Sequence, residues 1–423
     1  MNSIAESITL NNLELTRFFF AVVLLLIFSH FLGYVFHKYK LPKVVGEILG
    51  GVLLGPTILG HFLPNVHNWV FNAFSSEGKL LAILYWFGLV LLMFIYGFEM
   101  QKKISADEGK VIIAVILGST IIPFMAGWIA PFLYNFSTYI GPKNNTLALQ
   151  LVIAIAVAVT SIPVISKIFL DLKIINTRFA KIVLAAATFH DVILWVALAI
   201  ATGLVSAEKV SFANSALTVL TTIIFFGIML FIMPRLVRIG NTLKINLLLK
   251  SSAIGYILFI CFLFAALASL LNINIVFGAF LAGIVIGLMP GEKFQIEKDQ
   301  IKAISLAFFV PLYFAIVGLK LDLVRHFDLR LLIGFLIFAS TIQIGGTLIA
   351  ARLIKKDWLS SFNLGIAMNA RGGPGIVLAT VAFDIGIINE TFFATLVLIA
   401  IITSLSAGYW FRYVISKGWE LLK

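Results

Sequence analysis

The chain has 423 residues, of which 61% are hydrophobic and only 12% are charged, and its mean hydropathy is +1.08. Soluble domains carry about 25% charged residues, so this chain has too little polar surface to cover a soluble globule. The net charge of +12 does not indicate nucleic acid as a partner, because the basic residues lie in short loops between apolar runs. That distribution is typical of membrane insertion. The single cysteine, Cys261, excludes a disulfide framework and a cysteine metal site.

Apolar runs of spanning length predict an all-α polytopic membrane protein with about 13 transmembrane helices. The first run lacks a basic leader, so it is expected to stay as a helix rather than be cleaved as a signal peptide. The whole chain, 1–423, is predicted to be one membrane transporter domain with no soluble regulatory domain. The predicted helices lie near 16–37, 44–62, 79–99, 110–133, 147–170, 178–204, 212–233, 249–270, 273–289, 302–320, 329–352, 359–384 and 391–414.

The basic residues predict the orientation of the chain. Assigning successive loops to alternate sides puts about 23 lysines and arginines on one side and about seven on the other. A single missed or invented helix would destroy this asymmetry. The sequence therefore predicts a multi-pass protein of the inner (plasma) membrane with an outside N-terminus and a cytoplasmic C-terminus.

Two predicted helices contain breaks at corresponding places in the chain. Opposite termini suit two inverted six-helix repeats, about 16–204 and about 249–414, joined by a linker helix at about 212–233. Helix five is then interrupted by Thr160, Ser161 and Pro163, and helix twelve by Arg371, Gly372, Gly373 and Pro374. Matched interruptions predict a transporter's substrate site, where freed backbone groups line a cavity. The alternative is that each proline only kinks its helix.

Few ionisable residues lie well inside the predicted helices, and Asp191 is the most informative of them. It stands ten residues after Lys181, a rise of about 15 Å, which places it near the membrane midplane. A carboxylate at that depth is suited to binding either a proton or a small hard cation. The alternative is a static salt bridge with Arg371. The full set comprises His30, Glu47, Glu99, His190, Asp191 and Arg371.

For the other ionisable residues at membrane depth, the sequence leaves the charge of His190 undecided and favours structural roles for Arg371 and His30. Desolvation lowers the proton affinity of a histidine and a nearby anion raises it, so the state of His190 stays undecided. The break at Arg371 favours a structural role, in which the guanidinium offsets the partial negative charge of half-helix carbonyls. His30 is expected to be a hydrogen-bonded core histidine. No third ligand accompanies His190 and Asp191 at a spacing typical of a metal site.

Six motifs in order resemble the monovalent cation:proton antiporter-2 family, the bacterial type within the sodium/hydrogen exchanger superfamily. The resemblance covers nearly the whole chain. The motifs are Leu41–Pro56, Leu89–Glu99, Thr160–Pro163, His190 with Asp191, Phe309–Phe314 with Gly318, and Asn369–Gly373.

This resemblance implies a homodimeric elevator transporter, in which a core domain with two crossed, broken helices moves past a fixed dimerisation domain. It also implies that Asp191 is the essential carboxylate. Two positions depart from the family pattern: His190 stands where Asp, Asn or Gln is usual, and Ile316 stands where sodium-specific members carry a lysine. Because the nucleotide-binding domain of some relatives is absent from the sequence, gating by such a domain would need a separate subunit.

The sequence therefore predicts a secondary active antiporter of Na⁺ or K⁺ against H⁺ in the lipid bilayer, without a cofactor. Asp191 is predicted to bind the proton and the cation in turn, as a transient metal ligand, with His190, Thr160 and Ser161 nearby. A neutral His190 predicts electroneutral exchange of one proton for one cation. Alternatives are an anion or organic-solute symporter on a similar scaffold and a passive channel or sensor. A membrane enzyme is disfavoured, since no nucleophile and base occur together at depth.

Overall fold

The computed structural model of the chain describes residues 10–39, 41–74, 76–99, 109–206, 212–242, 246–289 and 294–423. These residues are helical apart from turns, short connections and one isolated bridge between Ile140 and Ile388. The main helices, in chain order, are α1 Asn12–Lys38, α2 Lys43–Leu54, α3 Glu77–Glu99, α4 Gly109–Leu133, α5 Thr146–Ala158, α6 Ile162–Asp171, α7 Arg178–Ser206, α8 Phe212–Gly227 with its continuation to Thr242, α9 Ala253–Leu270, α10 Ile275–Gly287, α11 Gln295–Leu319, α12 Leu329–Leu353, α13 Trp358–Met368, α14 Gly372–Asp384 and α15 Glu390–Ser416.

The helices match the predicted membrane spans closely. In the described ranges, 11 helical segments are long and apolar enough to cross a membrane, and α13 with α14 adds a twelfth that is bent by 40°. The predicted segment at 273–289 is shorter than expected, because α10 has only 13 residues and starts where the Asn274 side chain caps it. The all-helical polytopic fold is confirmed. The orientation stays a prediction, and several of the loop lysines behind it lie outside the described residues: Lys40, Lys102, Lys103, Lys209, Lys244 and Lys293.

Two compact units divide the chain. The first contains residues 1–92 and 302–327, and the second contains 93–301 and 328–423. The chain passes from one unit to the other three times: within α3, within α11, and between residues 327 and 328, just before α12. Every site residue predicted from the sequence belongs to the second unit.

In the first unit, His30 has a structural hydrogen bond. Its Nε2 lies 2.9 Å from the carbonyl oxygen of Ala307. In a regular helix the N–H of residue 311 would bond to that carbonyl, but Pro311 has none. The histidine therefore supplies a partner to a carbonyl that the proline leaves without its usual donor.

Three helices each contain a π turn just before a proline. The π turns Leu117–Ile121 in α4, Ile228–Ile232 in α8 and Ser305–Phe309 in α11 each end two residues before a proline. A proline ring clashes with the carbonyl four residues earlier, and in each helix that carbonyl lies within the π turn. The wider turn accommodates the clash without ending the helix.

Both predicted breaks are present in the second unit. Residues 159–161 separate α5 from α6, and residues 369–371 separate α13 from α14. Pro163 occupies the first turn of α6, where a missing N–H costs nothing, and Pro374 does the same in α14. Gly372 has a φ of +35°, and a Cβ added there would lie 2.3 Å from a methyl carbon of Val164. The second break therefore requires glycine at this position.

The hydroxyl of Tyr96, near the end of α3, lies against the start of α14. A Cβ built on Gly373 would be 2.5 Å from the Tyr96 hydroxyl oxygen, while the next atom of the ring, Cζ, would be 3.7 Å away. Real carbon atoms do not approach an oxygen at the first distance, whereas the second is ordinary van der Waals contact. A single oxygen atom thus decides whether position 373 accepts a methyl group.

This contact predicts a suppressor pair. Gly373→Ala should lower the thermal stability of the purified protein, by roughly 1–3 kcal/mol as in other overpacked sites. Tyr96→Phe removes the oxygen at 2.5 Å, so the double variant should regain most of the loss. Melting curves of both single variants and the double variant measure the coupling.

The matched control is Gly345→Ala on α12, because a Cβ at that position meets nothing within 4 Å. Its stability should equal or slightly exceed that of the wild type, since alanine favours a helix over glycine. If Tyr96→Phe does not improve Gly373→Ala, the steric explanation is wrong.

Candidate functional site

The site centres on the two breaks and on the middle of α7. Asp191 lies 13 residues after the start of this 29-residue helix, with a relative exposure of 6%, and His190 beside it is fully buried. Helix α7 packs against α5, the helix that ends at the first break. The structure therefore places the predicted acid on an element next to the interrupted backbone.

The two broken segments cross at their breaks, as the sequence predicts. The Thr160 hydroxyl donates to the carbonyl oxygen of Met368 at 2.5 Å, so the first break touches the last residue of α13. Ser161 lies so close to Gly372 that a Cβ added to the glycine would be 2.7 Å from the serine hydroxyl. Thr160 and Ser161 are both fully buried.

Arg371 binds the carbonyl end of the other broken segment. Its guanidinium donates to the carbonyls of Ala156 at 3.2 Å and Val157 at 3.1 Å, both in the last turn of α5. The remaining contacts join it to Asn369, at 2.7 Å from the side-chain oxygen and 3.4 Å from the carbonyl. A helix C-terminus carries partial negative charge, which this buried cation offsets. The carbonyls involved belong mainly to α5 rather than to the arginine's own segment.

Gln343 on α12 joins the two breaks through one amide group. Its Nε2 donates to the carbonyl of Ala158 at 2.9 Å and to that of Met368 at 3.1 Å, and it lies 3.4 Å from the Thr160 hydroxyl. Ala158 is the last residue of α5 and Met368 the last residue of α13. One side chain therefore bonds to the final carbonyls of both half-helices, groups that have no donor within their own helix.

At the N-terminal ends of the half-helices that follow the breaks, side-chain hydroxyl groups accept hydrogen bonds from the free backbone amides. The Ser161 side chain caps α6 by accepting from the amide of Val164. At α14, the amides of Arg371 and Gly372 donate to Thr403 at 3.3 Å and Ser404 at 3.0 Å, both on α15. The donors freed by the second break are thus bonded to a neighbouring helix rather than to water.

Asp191 differs from these groups because its carboxylate has no hydrogen bond or ion pair with any residue in the described part of the chain. The salt bridge with Arg371, considered as an alternative from the sequence, is not formed. His190 is held from the side by α4, where Thr120 in the π turn lies 2.8 Å from Nδ1. The imidazole also interacts with the backbone carbonyl of Ala158, at the end of α5.

The donor set is that of a single buried carboxylate. Among the residues that the structure describes, no group of three His, Cys, Asp or Glu side chains could hold a metal ion tightly. A lone acid next to polar side chains is suited instead to reversible binding, since a proton or a monovalent cation neutralises it without a permanent cage.

Four neutral side chains contribute to the site and were not predicted from the sequence. Gln343, Thr120, Thr403 and Ser404 carry no charge, so they do not stand out among the ionisable residues at membrane depth. Gln343 did carry a signal, because an amide inside an apolar helix is costly unless it is bonded. The serines and threonines carried none, since such residues often bond to the preceding turn of their own helix.

Comparison with known proteins agrees with this arrangement. Residues 22–417 match the family model described as "Sodium/hydrogen exchanger, transmembrane". Among individual relatives, K(+)/H(+) antiporter 1 of Saccharomyces cerevisiae is 31% identical over 92% of this chain and 45% of its own length. The Na(+)/H(+)-K(+) antiporter GerN of Bacillus cereus is 27% identical over 96% of this chain and 98% of its own length. The chain thus spans about half of the yeast relative and nearly all of the bacterial one.

A solved structure shows the same fold. The sodium proton antiporter MjNhaP1 from Methanocaldococcus jannaschii superimposes with a TM-score of 0.59 at 14% identity, over 94% of this chain and 97% of that one. The family match extends over both units and includes the breaks and α7. From the matched family and the shared fold, this chain belongs to the transmembrane sodium/hydrogen exchanger family.

Proposed function

We propose that this protein exchanges Na⁺ or K⁺ for H⁺ across the inner (plasma) membrane, with Asp191 as the site that both ions occupy in turn. The observation that carries the proposal is the buried Asp191 carboxylate, which has no partner in the described residues and lies on a helix packed against the first break. Relatives named as cation/proton antiporters support it. An isolated buried charge is costly, so the acid is stable when it holds a proton or a cation.

Exchange follows from the competition for one carboxylate. Asp191 must release its proton before it binds a cation, and it must release the cation before it is protonated again. The two loaded forms are both neutral, whereas the empty form carries a buried charge. Because only neutral forms cross the barrier at low cost, the protein needs no additional gate to prevent uncoupled leak.

His190 sets the number of protons carried per cation. His190 is completely buried, and a buried imidazolium is costly because it loses its hydration. A neutral His190 therefore fits its surroundings better than a charged one. Exchange is then one proton for one cation and electroneutral.

The proposal extends to the movement that exposes the site on each side. Two inverted repeats, about 16–204 and about 249–414 with a linker at about 212–233, suit an elevator mechanism in a homodimer. The paired carbonyl and N–H groups at the breaks support movement of α5, α6, α13 and α14 as one body. The basic loops support a cytoplasmic C-terminus.

The first prediction concerns Asp191. In proteoliposomes, Asp191→Asn should abolish cation-driven proton flux, because the amide neither takes up a proton nor supplies a charge. Asp191→Glu should keep part of the flux with a changed apparent KM, since the longer side chain moves the oxygens by about one C–C bond. Flux is measured with a pH-sensitive dye while Na⁺ or K⁺ is added outside.

The matched control is Asp171→Asn. That carboxylate pairs with Lys167 at 3.2 Å at the end of α6, and it is partly exposed, so the change should leave exchange intact. Coupled exchange at the wild-type rate in Asp191→Asn would show that the site lies elsewhere.

The second prediction concerns Arg371. Arg371→Ala leaves the carbonyls of Ala156 and Val157 without their donor, so thermal stability should fall by about 2 kcal/mol or more and flux should fall with it. Arg371→Lys should retain part of both, because it keeps the charge but lacks the planar fork. Arg330→Ala, at an exposed position on α12, serves as control. Unchanged stability with a reversed cation preference would instead make Arg371 a substrate ligand.

The third prediction tests the stoichiometry. If His190 stays neutral, an imposed membrane potential should leave the equilibrium cation gradient in reconstituted vesicles unchanged, in the wild type and in His190→Asn alike. The measurement is the equilibrium gradient of the transported cation, with the membrane potential set by a permeant ion that the protein does not carry, such as tetraphenylphosphonium or thiocyanate. A gradient that follows the potential in the wild type but not in His190→Asn would identify His190 as a second proton carrier.

A further inference from the structure

The two polar atoms of the Gln343 side-chain amide differ in their hydrogen bonding at the crossing of the breaks. The nitrogen of its amide bonds to the carbonyls of Ala158 and Met368. The oxygen, Oε1, is buried and has no hydrogen-bond partner. Since both atoms are bonded to the same carbon, the oxygen also lies at the crossing. The whole side chain is fully buried.

The orientation of this amide is fixed by chemistry. Carbonyl oxygens accept hydrogen bonds and do not donate them, so the end that faces Ala158 and Met368 must be the nitrogen. The hydrogen bonds at both carbonyls prevent the amide from turning over. The oxygen is therefore held in one place, which is the preorganisation that a ligand for an ion requires.

Four backbone carbonyls at the crossing already have side-chain donors. Arg371 bonds to those of Ala156 and Val157, and Gln343 bonds to those of Ala158 and Met368. The sequence alone suggested that freed carbonyls would help to bind the cation, but these four have protein donors. A bare Na⁺ or K⁺ needs several oxygens to replace its water shell, and Asp191 supplies at most two.

We propose that the Gln343 amide oxygen is a ligand for the transported cation, with its nitrogen holding it in position. This inference rests on the proposed function, because it concerns the same ion site. The role differs from that of Arg371, whose guanidinium only donates hydrogen bonds, to three backbone carbonyls and to the Asn369 side-chain oxygen. An oxygen ligand at this point contributes to cation affinity and to the choice between ions of different radius.

The test compares cation kinetics in proteoliposomes containing the full chain. Gln343→Met keeps nearly the same volume and removes both polar atoms. It should raise the apparent KM for Na⁺ or K⁺ by about tenfold, as for the loss of one strong polar contact, and should change the Na⁺-to-K⁺ ratio of KM values. The maximal rate should stay within about threefold.

A second variant keeps the inference testable if Gln343→Met does not fold. Gln343→Asn keeps the amide but withdraws it by about one C–C bond, so it should shift KM in the same direction even if the methionine variant does not fold. Thr347→Val on the same helix is the control, because its buried hydroxyl bonds only to the Gln343 backbone carbonyl at 2.8 Å. Its KM values should equal those of the wild type.

The outcomes separate this inference from the proposed function. If the wild type moves no protons in response to Na⁺ or K⁺, both fail. If the wild type exchanges ions and either Gln343 variant loses stability or maximal rate with KM values unchanged for both cations, Gln343 is structural and only the inference fails. A raised KM with an altered Na⁺-to-K⁺ ratio supports it.

Discussion

The pairing of backbone groups freed by the two breaks is the constraint on which the rest of the site depends. Inside a membrane no water is at hand to bond to an open carbonyl or amide, so interrupted helices persist only where the protein supplies partners. Here a guanidinium and a carboxamide, from Arg371 and Gln343, take the carbonyl ends, and hydroxyls take the amide ends. With these requirements met, the crossing has no need of the aspartate.

Asp191 has no ion pair with Arg371, because the guanidinium is bonded to backbone carbonyls of the break instead. A carboxylate that neutralised Arg371 would be committed to a structural ion pair, and breaking it in every cycle would be costly. Because the arginine is offset by dipoles instead, Asp191 is not committed to a structural ion pair. In the proposed exchange the site keeps one permanent positive charge, and the negative charge of Asp191 is neutralised in turn by a proton or a cation.

Much of this architecture was predictable from the sequence, for identifiable reasons. Breaks at Pro163 and at the Gly372 cluster, and an acid at half the depth of a helix, are rare enough in apolar segments to stand out. The all-helical fold followed from the apolar runs, and the resemblance to the antiporter family implied that the two broken helices cross. The partners of the freed backbone groups were not predicted. Thr403 and Ser404 are ordinary residues for a membrane helix, and although Gln343 stands out as an amide in an apolar helix, the carbonyl that a side chain reaches depends on three-dimensional packing. The assignment of Arg371's partners needed the structure for the same reason.

The π turn in α4 has a consequence for the histidine beside the acid. A π turn contains one residue more than an α turn, so the parts of α4 before and after it are rotated relative to a continuous helix. Thr120, which contacts His190, lies within that π turn, and the turn accommodates the clash between the Pro123 ring and the carbonyl of residue 119 before α4 resumes its regular winding. The side of α4 on which Thr120 meets the imidazole therefore depends on a proline three residues further along the chain.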